Sequence, residues 1–274
     1  MKENYDVIVV GAGPAGIFTA LELSEKSDLR ILVVDKGKNI GRRSCPAREN
    51  NNICQKCSPC SLLCGWGGAG AFSDGKLTLS QEVGGQLTSY LDNQLFQEIV
   101  QYVDSVYLRF GGTDKVYGVD SEKVEELRRK AEMAELVLVP SQIRHLGTDR
   151  CRDILKNMYD YLSDRVEIKT SLPVERVLVE NGKVTGVKFR GGEEVNSKFV
   201  VVAPGRVGAD WLRRECLRLK LPLENNPVDL GVRLEVPASI MDEFTQALYE
   251  LKLIYYTPTF DDRVRTFCMC PHGE

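Results

Sequence analysis

The chain has 274 residues, of which 43% are hydrophobic, and its formal net charge at pH 7 is −3. This length and apolar content suffice for one large α/β domain and part of another. The balanced charge, without a block of basic residues, gives no support to binding of nucleic acid or of an anionic membrane surface. No apolar run reaches the length of a membrane span, and nine cysteines without a secretory signal are typical of a reducing compartment. The sequence therefore predicts a cytoplasmic protein.

The N-terminal part has the pattern of a nucleotide-binding βαβ unit. An apolar run, Val7–Val10, precedes the sequence GAGPAG at residues 11–16 (the glycine loop), a helix pattern over Ile17–Leu23 and a second apolar run, Ile31–Val34. In such a unit the glycines permit a tight turn, close approach of backbone to a pyrophosphate, and close packing of helix on strand. Asp35 follows about 20 residues later, where a carboxylate accepts the ribose hydroxyls of an adenosine. The pattern predicts an adenine dinucleotide bound at Gly11, Gly13, Pro14, Ala15 and Gly16.

Four cysteines then follow with the spacing C-x2-C-x2-C-x3-C, and we call them the cysteine run. The same spacing in bacterial ferredoxins presents thiolates to an iron–sulfur cluster. Gly65, and not proline, follows the last cysteine, so Cys45 and Cys270 are further candidates for the fourth ligand. Zinc bound by four thiolates, a redox dithiol beside a flavin, and free thiols are the alternatives. The sequence predicts metal ligation, with iron favoured over zinc, at Cys54, Cys57, Cys60 and Cys64.

Residues 65–76, the second glycine segment, contain five glycines directly after the cysteine run. Glycine lets backbone approach a flat or anionic ligand and leaves amide groups available as donors. A flexible linker is the alternative, but the aromatic residues Trp66 and Phe72 argue against it. Ser73 lacks an evident histidine partner and no G-x-S-x-G elbow is present, so hydrolase chemistry is not expected.

The middle of the chain, Leu87 to Leu162, is mainly helical in pattern. Its Glu-, Lys- and Arg-rich stretch at 122–135 is typical of a solvent-exposed helix face rather than of a binding surface. His145 is one of only two histidines in the chain. Such a histidine is either a hydrogen-bonded structural residue or a catalyst, and the structural role is the commoner one.

A β segment follows the helical part. Strand patterns cover Val166–Lys169, Val174–Glu180 and Lys183–Arg190, and the last two are joined by Asn181-Gly182, a strong hairpin signal. A buried strand pattern over 199–203 then ends at Pro204-Gly205. In α/β sheets ligands bind at such strand ends.

Taken together, these segments resemble the FAD domain of glutathione-reductase-type flavoproteins. More specifically, CGWGGAGAFSDGKL at 64–77, HLGTD at 145–149, VVAPGR at 201–206 and LGVRLE at 230–235 resemble the prokaryotic family called FAD-dependent dehydrogenases. The resemblance covers nearly the whole chain, and GGAGAFSDGK is its most specific piece. It implies an α/β fold: a doubly wound, Rossmann-like FAD-binding domain with a β-meander and a helical insertion.

The resemblance also implies where FAD would bind. Arg42 or Arg43 would lie at the pyrophosphate, Asp35 at the adenosine ribose, and Val174 would hold adenine through its backbone. The remaining residues implied at the cofactor lie after β strands or near the flavin ring: Lys36, Gly67, Gly68, Ala69, Gly70, Ser73, Asp74, Lys76, Ala203, Pro204 and Gly205.

Two domains follow from this interpretation: an FAD-binding domain at 1–220, with a cysteine-rich loop at 45–64 and a mainly helical insertion at about 87–162, and the beginning of a substrate domain at 221–274. Similar flavoproteins continue well beyond such a point. We therefore expect the chain to be truncated at its C-terminus, so that the FAD pocket lacks one wall. The chain has no second βαβ unit in which a GxGxxG sequence follows a strand pattern, and a separate NAD(P)H domain is not expected.

The predicted function is that of an FAD-dependent oxidoreductase, with the cysteine run relaying electrons near the flavin. Flavin suits this because it accepts two electrons and releases them one at a time. The expected partner is a small-molecule substrate or a redox partner protein. The alternatives are an NAD-dependent dehydrogenase and a non-catalytic nucleotide- and metal-binding electron carrier.

Overall fold

The first strand of the computed structural model leads directly into the glycine loop. The structure describes residues 4–85, 87–226 and 228–273. The strands and helices of these residues, in chain order, are β1 (Asn4–Val10), α1 (Pro14–Lys26), β2 (Ile31–Asp35), α2 (Pro46–Glu49), β3 (Lys76–Thr78), α3 (Asn93–Arg109), α4 (Ser121–Met133), β4 (Val137–Leu138), β5 (Ile143–His145), α5 (Thr148–Ser163), β6 (Glu167–Thr170), β7 (Val174–Glu180), β8 (Lys183–Phe189), β9 (Glu194–Val202), α6 (Ala209–Arg218), α7 (Ala238–Leu248), β10 (Leu253–Tyr256) and β11 (Arg263–Arg265).

The chain divides into two compact units. Unit 1 consists of Met1–Ser73 and Cys151–Val228, and unit 2 consists of Asp74–Arg150 and Asp229–Glu274. The chain thus leaves unit 1 within the second glycine segment and returns to it within α5. These units group residues by their contacts in space. The predicted boundary at residue 220, between an FAD-binding domain and a substrate domain, stays a prediction.

Unit 1 is built on a six-stranded mixed sheet with the order β6-β2-β1-β9-β8-β7. Strands β6, β2, β1 and β9 are parallel, and β8 and β7 continue the sheet in antiparallel fashion. The predicted α/β, Rossmann-like fold is confirmed. Strand β9 is longer than the predicted 199–203 because its first residues pair with β8, while its later residues pair with β1.

Strands β1 and β2 are buried on both faces, which explains why Val7–Val10 and Ile31–Val34 are continuous apolar runs in the sequence. On one face Ile8 and Val10 pack with Leu32, Val34 and Phe189. The intervening residues Val7 and Val9 are also buried, and since successive side chains of a strand point to opposite faces, they lie on the other one. Helix α1 contributes buried residues of its own, Ile17, Ala20 and Leu21.

Unit 2 has a smaller apolar core between α4, β4 and the end of α7. Leu127 and Ala131 of α4 pack with Leu138, Leu248 and Leu251. The unit also contains an antiparallel sheet of order β11-β10-β4 and the two-stranded sheet β3-β5. The predicted solvent-exposed face of α4 is present, since Lys123 and Lys130 form surface ion pairs there that contribute little to stability.

The segment after Asp229 has alternating apolar residues, but the described part of the chain gives it no strand partner. Leu230 and Val232 are 95% and 94% exposed. Among the described residues, no helix has both the length and the apolar character that crossing a membrane would require.

We expect Gly16→Ala to destabilise unit 1, because a Cβ atom at Gly16 would lie 1.8 Å from the carbonyl oxygen of Gly11. Such overpacking typically costs about 1–3 kcal/mol. The matched control is Gly41→Ala, because a Cβ there would have no neighbour within 4 Å and should leave stability unchanged or slightly higher. Urea unfolding of the two variants measures the difference, and equal midpoints would contradict the predicted role of Gly16.

Candidate dinucleotide site

The glycine loop is held between the ends of two strands. The N–H of Gly11 donates to the carbonyl of Val34 over 2.8 Å, and the N–H of Ala203 donates to the carbonyl of Val10 over 2.8 Å. Gly11 has φ +110°, and a Cβ atom there would lie 2.1 Å from the carbonyl oxygen of Ala203. Only glycine fits this position. The predicted strand end at 203–205 therefore lies against the glycine loop.

Gly13 is glycine for a different reason. Its φ of −79° and ψ of −176° are open to any residue, and a Cβ atom would have only the Cα of Gly68 within 4 Å, at 3.9 Å. The packing of the protein thus leaves room for a side chain at Gly13. The space beside Gly13 is therefore open to a ligand that approaches the backbone.

The start of α1 supplies the donors that an anionic ligand needs. Pro14 is its first residue, Gly13 makes no side-chain cap bond, and the first turn contains no acidic residue. The N–H groups of this turn, including those of Ala15 and Gly16, have no acceptor within the helix. Because the positive end of the helix dipole lies at the same place, the residues present fit the pyrophosphate of a dinucleotide.

The second glycine segment is fixed against the glycine loop. The N–H of Gly67 donates to the carbonyl of Ala12 over 2.7 Å, and a Cβ atom on Gly68 (φ +59°) would lie 3.1 Å from the Cα of Gly13. Trp66 is fully buried, and its Nε1 donates to the carbonyl of Leu155 over 2.8 Å. These contacts exclude a flexible linker for this part of the segment.

The remaining predicted residues of the segment divide between the units. Ala69 and Gly70 belong to a 3-10 helix, Gly68–Phe72, and a Cβ atom on Gly70 would have no neighbour within 4 Å. The hydroxyl of Ser73 donates to the carbonyl of Gly70 over 2.9 Å. Asp74 and Lys76 belong to unit 2.

Asp35 links the end of β2 to the glycine loop. Its Oδ2 accepts the N–H of Ala12 over 2.9 Å, and its Oδ1 accepts the N–H of Gly37 over 2.7 Å. Each carboxylate oxygen has two lone pairs, so both retain capacity for a ribose hydroxyl. The structure therefore gives Asp35 a turn-capping role that is compatible with the predicted one.

Two predicted residues lie at the same strand ends. The N–H of Leu172 donates to the carbonyl of Asp35 over 2.9 Å, so the chain enters β7, which starts at Val174, close to the end of β2. The Nζ of Lys36 donates to the carbonyl of Val207 over 3.3 Å, in the turn that follows Gly205.

Arg43 has a different position from the one expected of a pyrophosphate ligand. It is 2% exposed, and its guanidinium donates to the carbonyls of Ser61, Leu62 and Trp66 over 2.8, 2.9 and 2.6 Å. Burial lowers the pKa of Arg43 to about 10, against the opposing effect of the Asp35 carboxylate. Arg43 thus closes the loop that carries the cysteine run, whereas Arg42 is the exposed member of the pair.

The structure does not support the predicted metal site of the cysteine run. Cys54 and Cys57 are exposed, Cys60 is half-buried, and Cys64 is buried. Burial raises the pKa of the Cys64 thiol. In the described part of the chain no group of three or more His, Cys, Asp or Glu side chains could hold a metal ion. The structure thus shows neither an iron–sulfur site nor a four-thiolate zinc site among the described residues.

Unit 2 contains a polar cluster that sequence reasoning found only in part. Strand β3 pairs with β5 so that Lys76 lies opposite His145, and Nε2 of His145 is 2.6 Å from Oδ1 of Asp74. The hydroxyl of Tyr249 donates to both oxygens of Asp74, over 3.0 and 2.9 Å. Tyr249 was not predicted, because no local pattern in the sequence relates it to Asp74 or to β5.

Glu250, which was also not predicted, pairs with two lysines of this cluster. It accepts a hydrogen bond from Lys252 over 2.6 Å and lies 3.5 Å from the Nζ of Lys76. Burial acts to raise the pKa of Glu250, but the hydrogen bond and charge of Lys252 and the charge of Lys76 outweigh it, and the pKa lies below its usual range.

With this geometry in place, comparison with known proteins defines the class. Residues 6–269 match the family described as FAD dependent oxidoreductase, and the chain belongs to that family. An uncharacterised protein of Clostridium beijerinckii is 24% identical over 276 residues, which cover 97% of this chain and 44% of that protein. The chain therefore spans less than half the length of this relative.

The solved structures that are similar to the chain include the following two. Glycine oxidase from Geobacillus kaustophilus is 16% identical, with a TM-score of 0.46, over 81% of this chain and 60% of that one. L-amino acid deaminase from Proteus vulgaris is 16% identical, with a TM-score of 0.45, over 81% of this chain and 51% of that one. At this level of likeness neither structure bears on the substrate.

We expect Arg43→Lys to destabilise unit 1 by about 1–3 kcal/mol, because an ammonium group cannot reproduce the fork that serves three carbonyls. The matched control, Arg42→Lys, changes an exposed side chain and should stay within about 0.5 kcal/mol of wild type. Urea unfolding followed by circular dichroism measures both. If Arg43→Lys instead kept full stability and lost bound nucleotide, the pyrophosphate role would be the correct one.

Proposed function

We propose that the chain binds FAD at the glycine loop and the second glycine segment and forms the nucleotide-binding part of an FAD-dependent oxidoreductase. The observation that carries the proposal is the space beside Gly13. The fold tolerates a Cβ atom there, whereas Gly11 and Gly16 are required by contacts within the protein. A position kept as glycine without an internal steric reason supports a ligand that approaches the backbone.

Different residues of unit 1 would bind different parts of the cofactor. The first turn of α1 would hold the pyrophosphate, with Arg42 as the available cation, and Asp35 would accept the ribose hydroxyls. The backbone at Val174 would meet adenine, and the backbone of 67–70 would approach the flavin ring. When bound, the flavin supplies the redox chemistry by accepting and releasing electrons, while the protein supplies position, exclusion of water and electrostatics.

An NAD-dependent dehydrogenase is the second candidate, because the βαβ fingerprint is common to FAD and NAD proteins. Membership of the FAD dependent oxidoreductase family favours FAD. The glutathione-reductase-type assignment is a finer proposal, supported by the β7–β8–β9 meander that returns to the sheet beside β1. We likewise propose that the whole protein is an oxidoreductase that acts on a small-molecule substrate or with a redox partner protein. We also propose that it is cytoplasmic.

We expect Gly13→Val to abolish FAD retention while the fold is kept. A branched side chain would fill the space that the pyrophosphate needs, and we expect the fold to be kept because a Cβ atom at Gly13 has a single neighbour, at 3.9 Å. Denatured wild-type protein should release FAD, identified by chromatography and fluorescence, and the variant should release less than about a tenth as much.

Gly13→Ala is the matched control, because alanine adds a smaller side chain at the same position. It should retain more FAD than the valine variant. Unfolding midpoints of the three proteins show whether the fold is kept. Release of NAD without flavin from the wild type would favour the dehydrogenase alternative. Release of FAD at wild-type level from Gly13→Val would remove this loop from the site.

The cysteine run is a separate proposal that only its spacing supports. We infer from C-x2-C-x2-C-x3-C that Cys54, Cys57, Cys60 and Cys64 ligate an iron–sulfur cluster, with zinc as the alternative. The geometry of the described residues does not favour this, since no such group is present among them. No electron-transfer step is therefore derived through these thiols.

The spacing predicts that anaerobically purified protein contains iron and acid-labile sulfide, and that Cys57→Ser loses both. Cys216→Ser, on α6 and outside the run, is the control and should retain them. The structure predicts a different outcome in the absence of metal. Iodoacetamide should then label the exposed Cys54 and Cys57 faster than the buried Cys64. Graded labelling without iron or zinc would reject the metal site.

A further inference from the structure

The polar cluster of unit 2 fixes the hydrogen on one ring nitrogen of His145. Nε2 of His145 is 2.6 Å from Oδ1 of Asp74. Because a carboxylate is an acceptor only, Nε2 carries the hydrogen, and in the neutral ring Nδ1 then holds the lone pair. Nδ1 has no hydrogen-bond partner within residues 4–85, 87–226 and 228–273, and the side chain is 25% exposed. A carboxylate orienting an imidazole in this way is the arrangement of a general base.

Tyr249 holds both members of this pair. Its hydroxyl donates to both oxygens of Asp74, and its ring stacks on the imidazole of His145 with 4.1 Å between centroids and 22° between planes. Burial, and then Asp74, raise the pKa of the phenol, so the hydroxyl remains a donor at neutral pH. Tyr249 therefore restricts rotation of both the carboxylate and the ring.

The backbone at Tyr249 is strained in a way that serves these contacts. Its φ is 60° and its ψ is −54°, and the N–H of Glu250 donates to the carbonyl of Leu248 over 2.7 Å. These are the features of the rare γ-turn with positive φ at its centre, and such a conformation is unusual for a bulky side chain. Strain of this kind persists where surrounding contacts determine it, and it clusters at functional sites.

The charges around the pair are balanced. Lys76 lies 3.6 Å from Asp74 and 3.5 Å from Glu250, and it donates to the carbonyl of Met269 over 2.6 Å. Lys252 lies 2.6 Å from Glu250. The charges of these two carboxylates and two ammonium groups cancel, so the imidazole of His145 lies beside a set of groups without net charge.

We propose that His145 is a proton acceptor for a small ligand that carries a hydroxyl or amino group, with Asp74 and Tyr249 as positioning residues. In the step, the O–H or N–H bond of the ligand breaks, its electron pair stays on the ligand atom, and the proton forms a new bond to Nδ1. The purpose of the site rests on the proposed function, because oxidation of an alcohol or amine by hydride removal also releases one proton. The geometry of the site does not depend on that function.

Diethyl pyrocarbonate tests the lone pair on Nδ1 without any substrate or flavin. A neutral imidazole nitrogen attacks one carbonyl of the reagent, forms an N–C bond and expels ethyl carbonate, which breaks down to ethanol and carbon dioxide. Trypsin places His145 in the peptide 145–150 and His272 in the peptide that begins at Thr266, so mass spectrometry follows the two histidines separately. His272 serves as the internal reference.

We expect Asp74→Asn to slow carbethoxylation of His145 by about fivefold or more, because the amide neither fixes the Nε2–H tautomer nor supplies the negative charge. Tyr249→Phe keeps the ring and loses the hydroxyl, and should slow it less. Asp153→Asn, an exposed change on α5, is the control and should have no effect. The rate at His272 should be the same in every protein, and circular dichroism reports the fold.

Nitrogen-15 NMR of His272→Gln protein gives a second measurement, in which the cluster itself is left intact. The single remaining imidazole should be the Nε2–H tautomer when neutral. The Nδ1–H tautomer, an unreactive His145 beside a reactive His272, or an unchanged rate in Asp74→Asn would each overturn the proposal. If His145 shows the expected reactivity but the protein binds no FAD, the proposed function is refuted and the role of His145 is not. If the protein binds FAD but His145 is unreactive, the role of His145 is refuted and the proposed function is not.

Discussion

Unit 1 depends on a close approach of backbone to backbone at the end of β1. A Cβ atom on Gly11 would lie 2.1 Å from the carbonyl of Ala203, and one on Gly16 would lie 1.8 Å from the carbonyl of Gly11. The turn, the first helix and the end of β9 can therefore meet only if these two positions lack side chains. The consequence reaches beyond packing. Since the chain segments touch directly, the N–H groups at the start of α1 and the strand ends converge on one small region, which is what a dinucleotide needs.

Buried polar groups hold the neighbouring loops in this arrangement. Asp35 accepts N–H groups from both the glycine loop and the turn after β2. Arg43 donates to two carbonyls just before the second glycine segment and to one carbonyl within it. Hydrogen bonds to charged groups contribute about 1.5–3 kcal/mol each, and an unsatisfied buried partner costs a similar amount. The same residue types that could contact a phosphate or a ribose are thus also structural. This is why a substitution of Asp35 or Arg43 has to be judged on stability as well as on cofactor binding.

The sequence predicts the βαβ unit and the hairpin at Asn181-Gly182 because their determinants are local: periodicity, glycine positions and turn chemistry. The sheet order, and the length of β9 that lets it pair with both β8 and β1, come from contacts between distant residues and could not be obtained in this way. The role of Arg43 could not be predicted for a related reason. The sequence around an arginine that follows a strand does not show whether its side chain binds a phosphate or three backbone carbonyls. Cysteine spacing likewise describes how a loop could wrap a metal, but whether the thiols converge depends on how the loop packs, and this packing leaves Cys64 buried and Cys54 and Cys57 exposed.

No pattern in the sequence predicts the conformation of Tyr249, but its contacts explain why that conformation is stable. A positive φ at a bulky residue costs about 1–3 kcal/mol, and glycine at this position would remove that cost. Two hydrogen bonds from its hydroxyl to a carboxylate, together with ring contacts to His145 and to Tyr117 at 5.2 Å, offset it. The hydroxyl acts on Asp74 and the ring acts on His145, so the strain and its compensation lie at the same place. A turn that served stability alone would need neither the strain nor the contacts that offset it. The conformation of Tyr249 is explained if its role is to orient Asp74 and His145.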